Sequence, residues 1–553
     1  MGRPSITTAT ASRRLFLKLA AILGARTAVV GAPPPAAAQD TAGKRVPPLE
    51  AWYYTYPEWI EFWRYTPADL KKIGLEVRAN SGTLTTVLGK ALRQGEYGDM
   101  VTFSWVSNAE RVDPNFWLQL LHSTGGRNFI RYKNPKLDEL VDRQEAEVNA
   151  DRRRQLVWDA QAVAAPDNPN VYLAHPDEIN AFNKRDWADP QEGQGMGISF
   201  ANIWHYLSVR PLTSRRVFRT ALLGDIDTLN IFATSSGTNI AMLRLIYDTF
   251  ARHDLHLQTV PWAAESWQHV DSRTVDLAIR QGMTFHDGKP VTMADVKFSF
   301  DYVKKWNFPL MNFALNFDST EIRGDRVLRV KLTRPYAAFT TVDLAFLVIL
   351  PRHVWEKIPE RVGLADPTKW AVVPELTGSG PFKLKSWRKG EDVVLEAHRP
   401  HWRAPKADGF VLRPVPTSEA MIGMLESGEA DMTSSASFPV DAAARLRQLP
   451  HLQVFQSPSF KLWYLAMDHR RKPFDDPRFR EAFAHAIDTK KFVNIALRGA
   501  GVQAKRTPIS PVLKPWHNPN LPTPEFNLDR ARDLLAKAGY SWDGQGNLLF
   551  PKA

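Results

Sequence analysis

Short apolar runs and longer amphipathic stretches alternate along most of this chain. Segments 59–72 and 152–164 place apolar residues at i, i+3 and i+4, the spacing of a helix with one buried face. Runs such as 75–77 and 100–104 have the composition of strands and follow helix-like stretches. Alternation of this kind predicts an α/β protein. Helical spacing also occurs at 84–92, 138–148, 294–304, 418–427, 477–487 and 528–538.

The size and composition of the chain indicate a large folded protein. It has 553 residues, 44% of them hydrophobic, which is ample for a large buried core. No period of 20–50 residues repeats, so solenoids and propellers are excluded. Cysteine is absent, which excludes a disulfide framework, a thiolate metal site and a cysteine nucleophile.

The first 38 residues have the features of an export signal. Arg13 and Arg14 precede a moderately apolar stretch, and three alanines at 36–38 have the character of a cleavage site. The pattern predicts export to the periplasm by the twin-arginine pathway. The alternatives are an incidental basic N-terminus and a single membrane span, and Arg26 within the apolar stretch opposes the span. Without cysteine the chain lacks the attachment residue of a lipoprotein, so we expect it not to be lipidated.

The charge of the chain does not require a nucleic-acid partner. The export segment has five basic residues and no acidic one, so it accounts for +5 of the net +12 and leaves +7. No dense stripe of Lys and Arg with interleaved aromatics occurs, and we expect no nucleic acid to bind. The 18 Trp, 29 Phe and 13 Tyr exceed what core filling usually needs. Aromatic side chains are the usual walls of small-ligand clefts.

Several motifs in the second half of the chain resemble family 5 of the bacterial solute-binding proteins. The longest covers 281–296, where a strand end, an Asp287-Gly288 turn and a helix capped by Thr292 follow one another. The shorter motifs are YDTF at 247–250, AESW at 264–267, TGSGPF at 377–382, GEAD at 428–431, PFDDPRFR at 473–480 and AID at 486–488. Together they cover most of 217–553.

Residues 48–208 resemble the C-terminal part of the same family, although here they come first. Their motifs are LKKIGLEV at 70–77, GEYGDM at 95–100, Trp105 with DP at 113–114, YKNPKLD at 132–138 and HPDE at 175–178. The exchanged order has two explanations, which are a circular permutation with its linker near 209–217 and a gene fusion between two receptors. We favour the permutation because the two pieces complement each other without overlap.

The resemblance implies a two-lobed periplasmic-binding-protein fold of type II, with an extra subdomain and with its segments in permuted order. By matching motifs, the first lobe takes 196–235 and 376–459, the extra subdomain takes 236–375, and the second lobe takes 45–195 with 460–553.

The same resemblance implies a receptor of an ABC importer. Such a receptor captures a peptide or peptide-like solute in the interlobe cleft by hinge closure and delivers it to a permease in the inner membrane. We expect a monomer that needs no cofactor. The alternatives are a periplasmic hydrolase and a sensor or chaperone on the same scaffold.

Motifs for catalysis and metal binding are weak. His253 and His256 have a spacing found in metal sites, but the family has a polar turn at this point. Ser379 lies in Gly-Ser-Gly rather than in the Gly-x-Ser-x-Gly nucleophile elbow, and Pro381 opposes a helix start there. Glycine loops that bind phosphates or dinucleotides are not found. We therefore expect neither catalysis nor a bound metal.

Candidate ligand-binding residues follow from the resemblance. In peptide-binding members a Trp lines the cleft, and an Asp three positions later pairs with the α-ammonium of the peptide. The matching positions are Trp105 and Asn108. An amide cannot form that charge-assisted bond, so Glu110 or Asp113 is the alternative partner. Further candidates are Tyr464, Trp463 and Phe460, around the strand that enters the second lobe, and Thr234, after the first strand of the first lobe.

Overall fold

Two sheets, each covered by helices, organise the protein. The computed structural model describes residues 41–108, 111–199, 201–223, 226, 228–234, 237–306, 316–370, 373, 376–434 and 438–552. The predicted export signal at 1–38 and the candidate Glu110 lie outside the described residues.

The strands come from all parts of the described chain. In chain order they are β1 (Leu49–Tyr54), β2 (Val77–Gly82), β3 (Met100–Trp105), β4 (Asn170–Pro176), β5 (Glu178–Asn183), β6 (Trp187–Ala188), β7 (Arg210–Pro211), β8 (Val217–Leu223), β9 (Ala251–His253), β10 (Thr259–Pro261), β11 (Ala264–Asp271), β12 (Thr274–Ile279), β13 (Phe317–Arg323), β14 (Val327–Leu332), β15 (Phe382–Arg388), β16 (Asp392–Ala397), β17 (Gly409–Val415), β18 (Met432–Ser434), β19 (Leu452–Ser457), β20 (Leu462–Met467), β21 (Gly501–Gln503), β22 (Ser541–Trp542) and β23 (Leu548–Leu549).

Helices alternate with these strands. They are α1 (Pro57–Lys72), α2 (Leu84–Leu88), α3 (Pro114–Leu118), α4 (Pro135–Ala146), α5 (Ala150–Ala164), α6 (Ile203–Ser208), α7 (Gly237–Ile246), α8 (Met293–Trp306), α9 (Asp343–Phe346), α10 (Arg352–Trp355), α11 (Ile358–Val362), α12 (Ser418–Glu426), α13 (Val440–Leu446), α14 (Pro477–His485), α15 (Thr489–Lys491) and α16 (Leu528–Lys537). Among the described residues no helix combines the length and apolar composition that crossing a membrane requires.

Helix α1 shows how the sequence pattern becomes a buried face. Pro57 occupies its first turn, where the missing N–H removes no helical hydrogen bond. Trp59, Phe62 and Leu70 lie on one face of the helix and are buried. Lysines in the last turn complement the helix dipole. The α/β alternation predicted from the hydrophobic pattern is therefore confirmed.

The first sheet has six strands in the order β2-β1-β3-β20-β4-β21. Strand β1 pairs parallel with β2 and β3, whereas β20 pairs antiparallel with β3 and β4. The core over this sheet includes Leu70 beside Phe483 and Leu535. Residues early in the sequence therefore share one lobe, the second lobe, with residues hundreds of positions later.

Helix α1 meets the end of the described chain in this lobe. Gly74, directly after the helix, has φ +86° and accepts a hydrogen bond from the Leu548 amide at 2.9 Å. A Cβ at Gly74 would lie 2.7 Å from the carbonyl oxygen of Gly546, so only glycine fits. The Trp542 Nε1 donates to the Ile73 carbonyl at 2.9 Å.

The other sheet has seven strands in the order β15-β16-β17-β8-β18-β5-β19 and forms the first lobe. Helices α12 and α13 pack on one face. The opposite face shares a core with the four-stranded antiparallel sheet β11-β12-β14-β13 of the extra subdomain. Strand β5 pairs with β18 and β19, although the sequence analysis assigned 45–195 to the second lobe. The first lobe therefore begins at Glu178.

Two chain segments cross between the sheets side by side and form the hinge. One joins β4 to β5 at Asp177, and the other joins β19 to β20. The Ser459 hydroxyl donates to the Pro176 carbonyl at 2.5 Å. The Lys461 ammonium lies 2.9 Å from the Glu178 carboxylate, and both side chains are 5% exposed. Burial raises the pKa of Glu178, and the Lys461 charge opposes that rise.

Candidate ligand-binding site between the lobes

A cavity lies between the two lobes. It encloses about 620 Å³ of non-atom space, a volume that includes open solvent at its mouth. Asn108, which follows β3, lines it from the second lobe, and Met196 and Ala201, which pack against the second-lobe core, line it as well. Trp204 and the face of α7 line it from the opposite side, together with Arg252 on β9.

One face of helix α7 forms the longest wall. Gly237, Ile240, Ala241, Arg244 and Leu245 follow the i, i+3, i+4 spacing of a single helical face and all line the cavity. The other face of the helix packs into the first-lobe core. The sequence therefore places one charged side chain on an otherwise apolar wall.

Two buried arginines lie at this wall. The Arg244 Nη2 donates to the Ala345 carbonyl at 2.7 Å, and its guanidinium lies 4.0 Å from the centre of the Phe346 ring. The Arg252 Nη2 donates to the carbonyls of Arg244 and Tyr247 at 2.7 and 3.3 Å, where α7 ends. Cations near the C-terminal carbonyls of a helix are stabilised by its dipole.

The Arg252 guanidinium is held in an apolar setting. It lies 5.0 Å from the centre of the Trp262 ring. Burial lowers the pKa of Arg252 to about 9, with the Asp248 charge opposing and the Arg244 charge adding to the effect. The group therefore keeps its charge at neutral pH.

The carboxylate nearest this region already has partners. Asp248 is fully buried, accepts from Trp262 Nε1 at 2.7 Å and lies 3.2 Å from His401 Nε2. Burial alone would raise the pKa of Asp248, but His401 and the Trp262 hydrogen bond hold it below its ordinary value. None of the described residues that line the cavity is acidic.

The structure places two of the predicted ligand residues differently. Asn108 lines the cavity, and a Cβ at Gly237 would lie 2.6 Å from its Nδ2. Trp105 ends β3, is 8% exposed and donates through Nε1 to the Tyr464 hydroxyl at 3.1 Å. The Arg111 guanidinium lies 5.0 Å from the centre of the Trp105 ring. Trp105 and Tyr464 are thus core residues that are not among the described residues lining the cavity, and their roles in binding stay predictions.

The Asp113 carboxylate, which the sequence offers as a partner for the α-ammonium of a peptide, is bonded to other groups of the protein. Its carboxylate caps α3 by accepting from the Asn115 amide, and it forms two hydrogen bonds with Arg153 at 2.6 and 2.9 Å. The Thr341 hydroxyl donates to it at 2.8 Å from the opposite side of the cleft. Burial opposes ionisation, but Arg153 outweighs it and lowers the pKa of Asp113. Taking up a ligand ammonium would require this buried ion pair to break.

The remaining candidates are buried and are not among the described residues that line the cavity. Trp463 stacks on Trp59 with ring centres 6.4 Å apart. Phe460 packs against Gly195, where a Cβ would lie 2.5 Å from the phenyl ring. Thr234 is buried shortly before α7. Their roles in binding stay predictions.

Sequence reasoning missed the arginines. Arg244 interrupts the mostly apolar stretch 240–251, Arg252 directly follows it, and these two charges were the available signal. His253, considered with His256 for its metal-like spacing, is buried at the end of β9 and lines the cavity, whereas His256 is exposed in the following turn. No group of three metal-ligating side chains occurs in the part of the chain that the structure describes.

The two lobes, the paired hinge crossings and the cavity between them define a two-lobed binding-protein architecture. The family model for the bacterial extracellular solute-binding proteins, family 5 (Middle), matches residues 258–552. The chain therefore belongs to family 5 of the bacterial extracellular solute-binding proteins, as the sequence motifs predicted.

Individual relatives agree with this assignment. The chain is 29% identical over 337 residues to the glutathione-binding protein GsiB of Salmonella typhi, covering 60% of this chain and 62% of the relative. The match thus spans less than two thirds of that relative.

Two solved structures share the fold. The chain resembles NikZ from Campylobacter jejuni in complex with Ni(L-His), with a TM-score of 0.52, 21% identity and coverage of 62% of this chain and 66% of that one. It also resembles the oligopeptide-binding protein AppA from Bacillus subtilis in complex with a nonapeptide, with a TM-score of 0.50, 23% identity and coverage of 62% and 68%. These likenesses support the type II periplasmic-binding-protein fold.

Proposed function

We propose that this protein captures a peptide or peptide-like small solute between its lobes and delivers it to an ABC importer in the inner membrane. The observation that carries the proposal is the cavity whose walls come from both lobes, next to a hinge of two adjacent crossings. Closing such a hinge buries the solute and changes the outer shape of the receptor. The protein acts as a monomer and performs no catalysis.

The relatives support the solute class. Their names refer to glutathione, a nonapeptide and a nickel complex of histidine, all of them amino-acid derivatives. Asn108 is the predicted ligand residue with the strongest support, because it lines the wall opposite α7.

We also propose that the segments of one receptor are permuted in this chain. Residues 45–176 and 460–550 share a sheet and a core, as a single lobe requires. An unpermuted relative can be aligned with only one of two exchanged segments, in keeping with matches to about 60% of the chain. The segment 1–38 would then direct export to the periplasm through the twin-arginine pathway, without lipidation.

Ligand-induced closure is the test of the receptor proposal. Because the chain has no cysteine, spin labels can be placed at Val148→Cys and Leu364→Cys, two exposed positions on opposite lobes. At least one of the solutes glutathione, di- and tripeptides and Ni(L-His) should shorten the mean distance between the two labels or narrow its distribution. A label pair within the second lobe, Val148→Cys with Ile495→Cys, should not respond. If solutes bind but the interlobe distance never changes, capture by closure is wrong.

A further inference from the structure

We propose, on the premise that the cavity captures a solute as described above, that it selects solutes with a carboxylate and that the Arg252 guanidinium binds that carboxylate. The inference names a ligand class and a specificity-determining residue.

Arg252 is a buried cation whose hydrogen-bonding capacity is only partly used. Arg252 is one of the residues that line the cavity and is 6% exposed, and its guanidinium forms no ion pair within 4.0 Å with any described residue. Only Nη2 donates hydrogen bonds within the described chain, and the buried Nε has no acceptor. A guanidinium has five N–H donors. A buried charge with no ion-pair partner in direct contact is costly, so a ligand anion would complete this site.

The other charges around the cavity favour an anion as well. Arg244 adds a second guanidinium to the same wall, and no described lining residue carries a carboxylate. Gly237, the first residue of α7, also lines the cavity. The N-terminus of a ten-residue helix presents the positive end of its dipole. The Asp248 charge opposes the lowering of the Arg252 pKa and so offsets part of the Arg252 charge, but no ion pair within 4.0 Å joins the two groups, and Asp248 also binds His401 and Trp262.

Among the described residues, the wall opposite α7 has an amide at the position where peptide-binding members have an acid. Asn108 lines the cavity with an amide, and Asp113 is committed to Arg153. An ammonium group of the solute therefore meets no free carboxylate among the described lining residues, whereas a carboxylate meets a guanidinium. Arginine binds carboxylates in a planar, often bidentate geometry.

A purely structural role is the competing explanation. Arg252 caps the C-terminal end of α7 through Nη2 and packs on Trp262. Arg280 is built in a similar way, since its Nε donates to the Trp262 carbonyl at 3.0 Å and its guanidinium lies 4.0 Å from the Trp402 ring centre. Arg280 is not among the described residues that line the cavity, so it serves as the matched control.

Matched acids and amides test the inference in the unmodified protein. The probes are glutathione, trialanine and succinate, each compared with its neutral amide by calorimetry and thermal shift. At least one acid should bind about 10- to 100-fold more tightly than its amide, as expected for hydrogen bonds to a charged group. Equal binding of acids and amides, or binding of the amides alone, overturns the inference.

Variants identify the residue. Arg252→Gln should weaken binding of the acid by about 10-fold or more and leave the amide nearly unchanged, whereas Arg280→Gln should change neither. Equal affinities of Arg252→Gln and the unmodified protein for the acid refute the role of Arg252. If Arg252→Gln does not fold, the acid and amide comparison still decides the ligand class. Closure by a neutral solute alone would refute this inference but keep the receptor function, and binding of none of the probes would refute both.

Discussion

Replacing Lys461 by methionine should destabilise the protein strongly, because it removes the counter-charge of Glu178 at the hinge. The two groups lie 2.9 Å apart, and both side chains are 5% exposed. Within the described part of the chain, the only other side-chain hydrogen bond to the Glu178 carboxylate is a long one from Asn180 Nδ2 at 3.4 Å. Methionine retains the length and apolar stem of lysine, so the change removes mainly the charge.

The expected magnitude follows from the burial of the pair. Breaking a buried ion pair by removing one partner costs about 3–5 kcal/mol, because the remaining charge is left without compensation. Lys383 and Glu396 form the matched exposed pair, with a 2.8 Å separation and side chains 39% and 40% exposed. Lys383→Met should therefore cost about 0–1 kcal/mol. Lys461→Met combined with Glu178→Gln should recover much of the loss.

The pH dependence gives a second, independent readout. Burial already raises the pKa of Glu178 above its ordinary value, and loss of Lys461 raises it further. The folded variant then holds a proton that the unfolded chain releases, so its stability is greatest at low pH and decreases as pH rises through the folded pKa. Urea unfolding followed by tryptophan fluorescence at pH 5 and pH 7 measures both effects. A loss below about 1 kcal/mol at pH 7, or an equal loss at both pH values, would refute the reasoning.

Three further predictions concern the cavity, the cleft and acid stability. Asn108→Asp adds a negative charge opposite the arginines, so calorimetry should show weaker binding of carboxylate solutes and a preference for free over N-acetylated amines; unchanged selectivity would remove Asn108 from the site. Arg334→Gln removes an ion pair that crosses the cleft to buried Glu145 at 2.5 Å, so the distribution of distances between the interlobe spin labels should broaden. Arg326→Gln, which removes an ion pair within the subdomain, should leave that distribution unchanged. Burial lowers the pKa of His175 and of His286 to about 4, so the melting temperature should fall as pH drops from about 6.5 towards 4, and His175→Asn should flatten that slope.

The sequence predicted local structure well where chemistry and periodicity agree. Asn134, Asn149 and Asn527 cap helices at the starts of amphipathic stretches. The Asp287-Gly288 turn has the positive φ that its sequence requires, and Thr292 exchanges hydrogen bonds with Asp295 at the start of α8. These features depend on neighbours within a few residues, which a sequence displays directly.

The lobe boundary and the cavity depend on contacts that local patterns do not contain. Strand β5 is buried on both faces, and its sequence does not reveal which sheet it joins. Trp105 matches a family position that lines the cleft, and here it is buried, donates to Tyr464 and is not among the described residues that line the cavity. Arg252 reaches the end of α7 because the chain reverses between α7 and β9, around Asp248 and Thr249. The spacing of residues in the sequence does not predict that reversal.

Native mass spectrometry of the purified protein tests solute capture most directly. The account predicts a one-to-one complex with a small solute that bears a carboxylate, either carried through purification or formed on addition of the acid probes, and released on denaturation. A protein that carries no such solute and forms no complex with any probe, or whose adduct survives denaturation as a covalent modification, would contradict the claim that the interlobe cavity is a reversible solute-binding site.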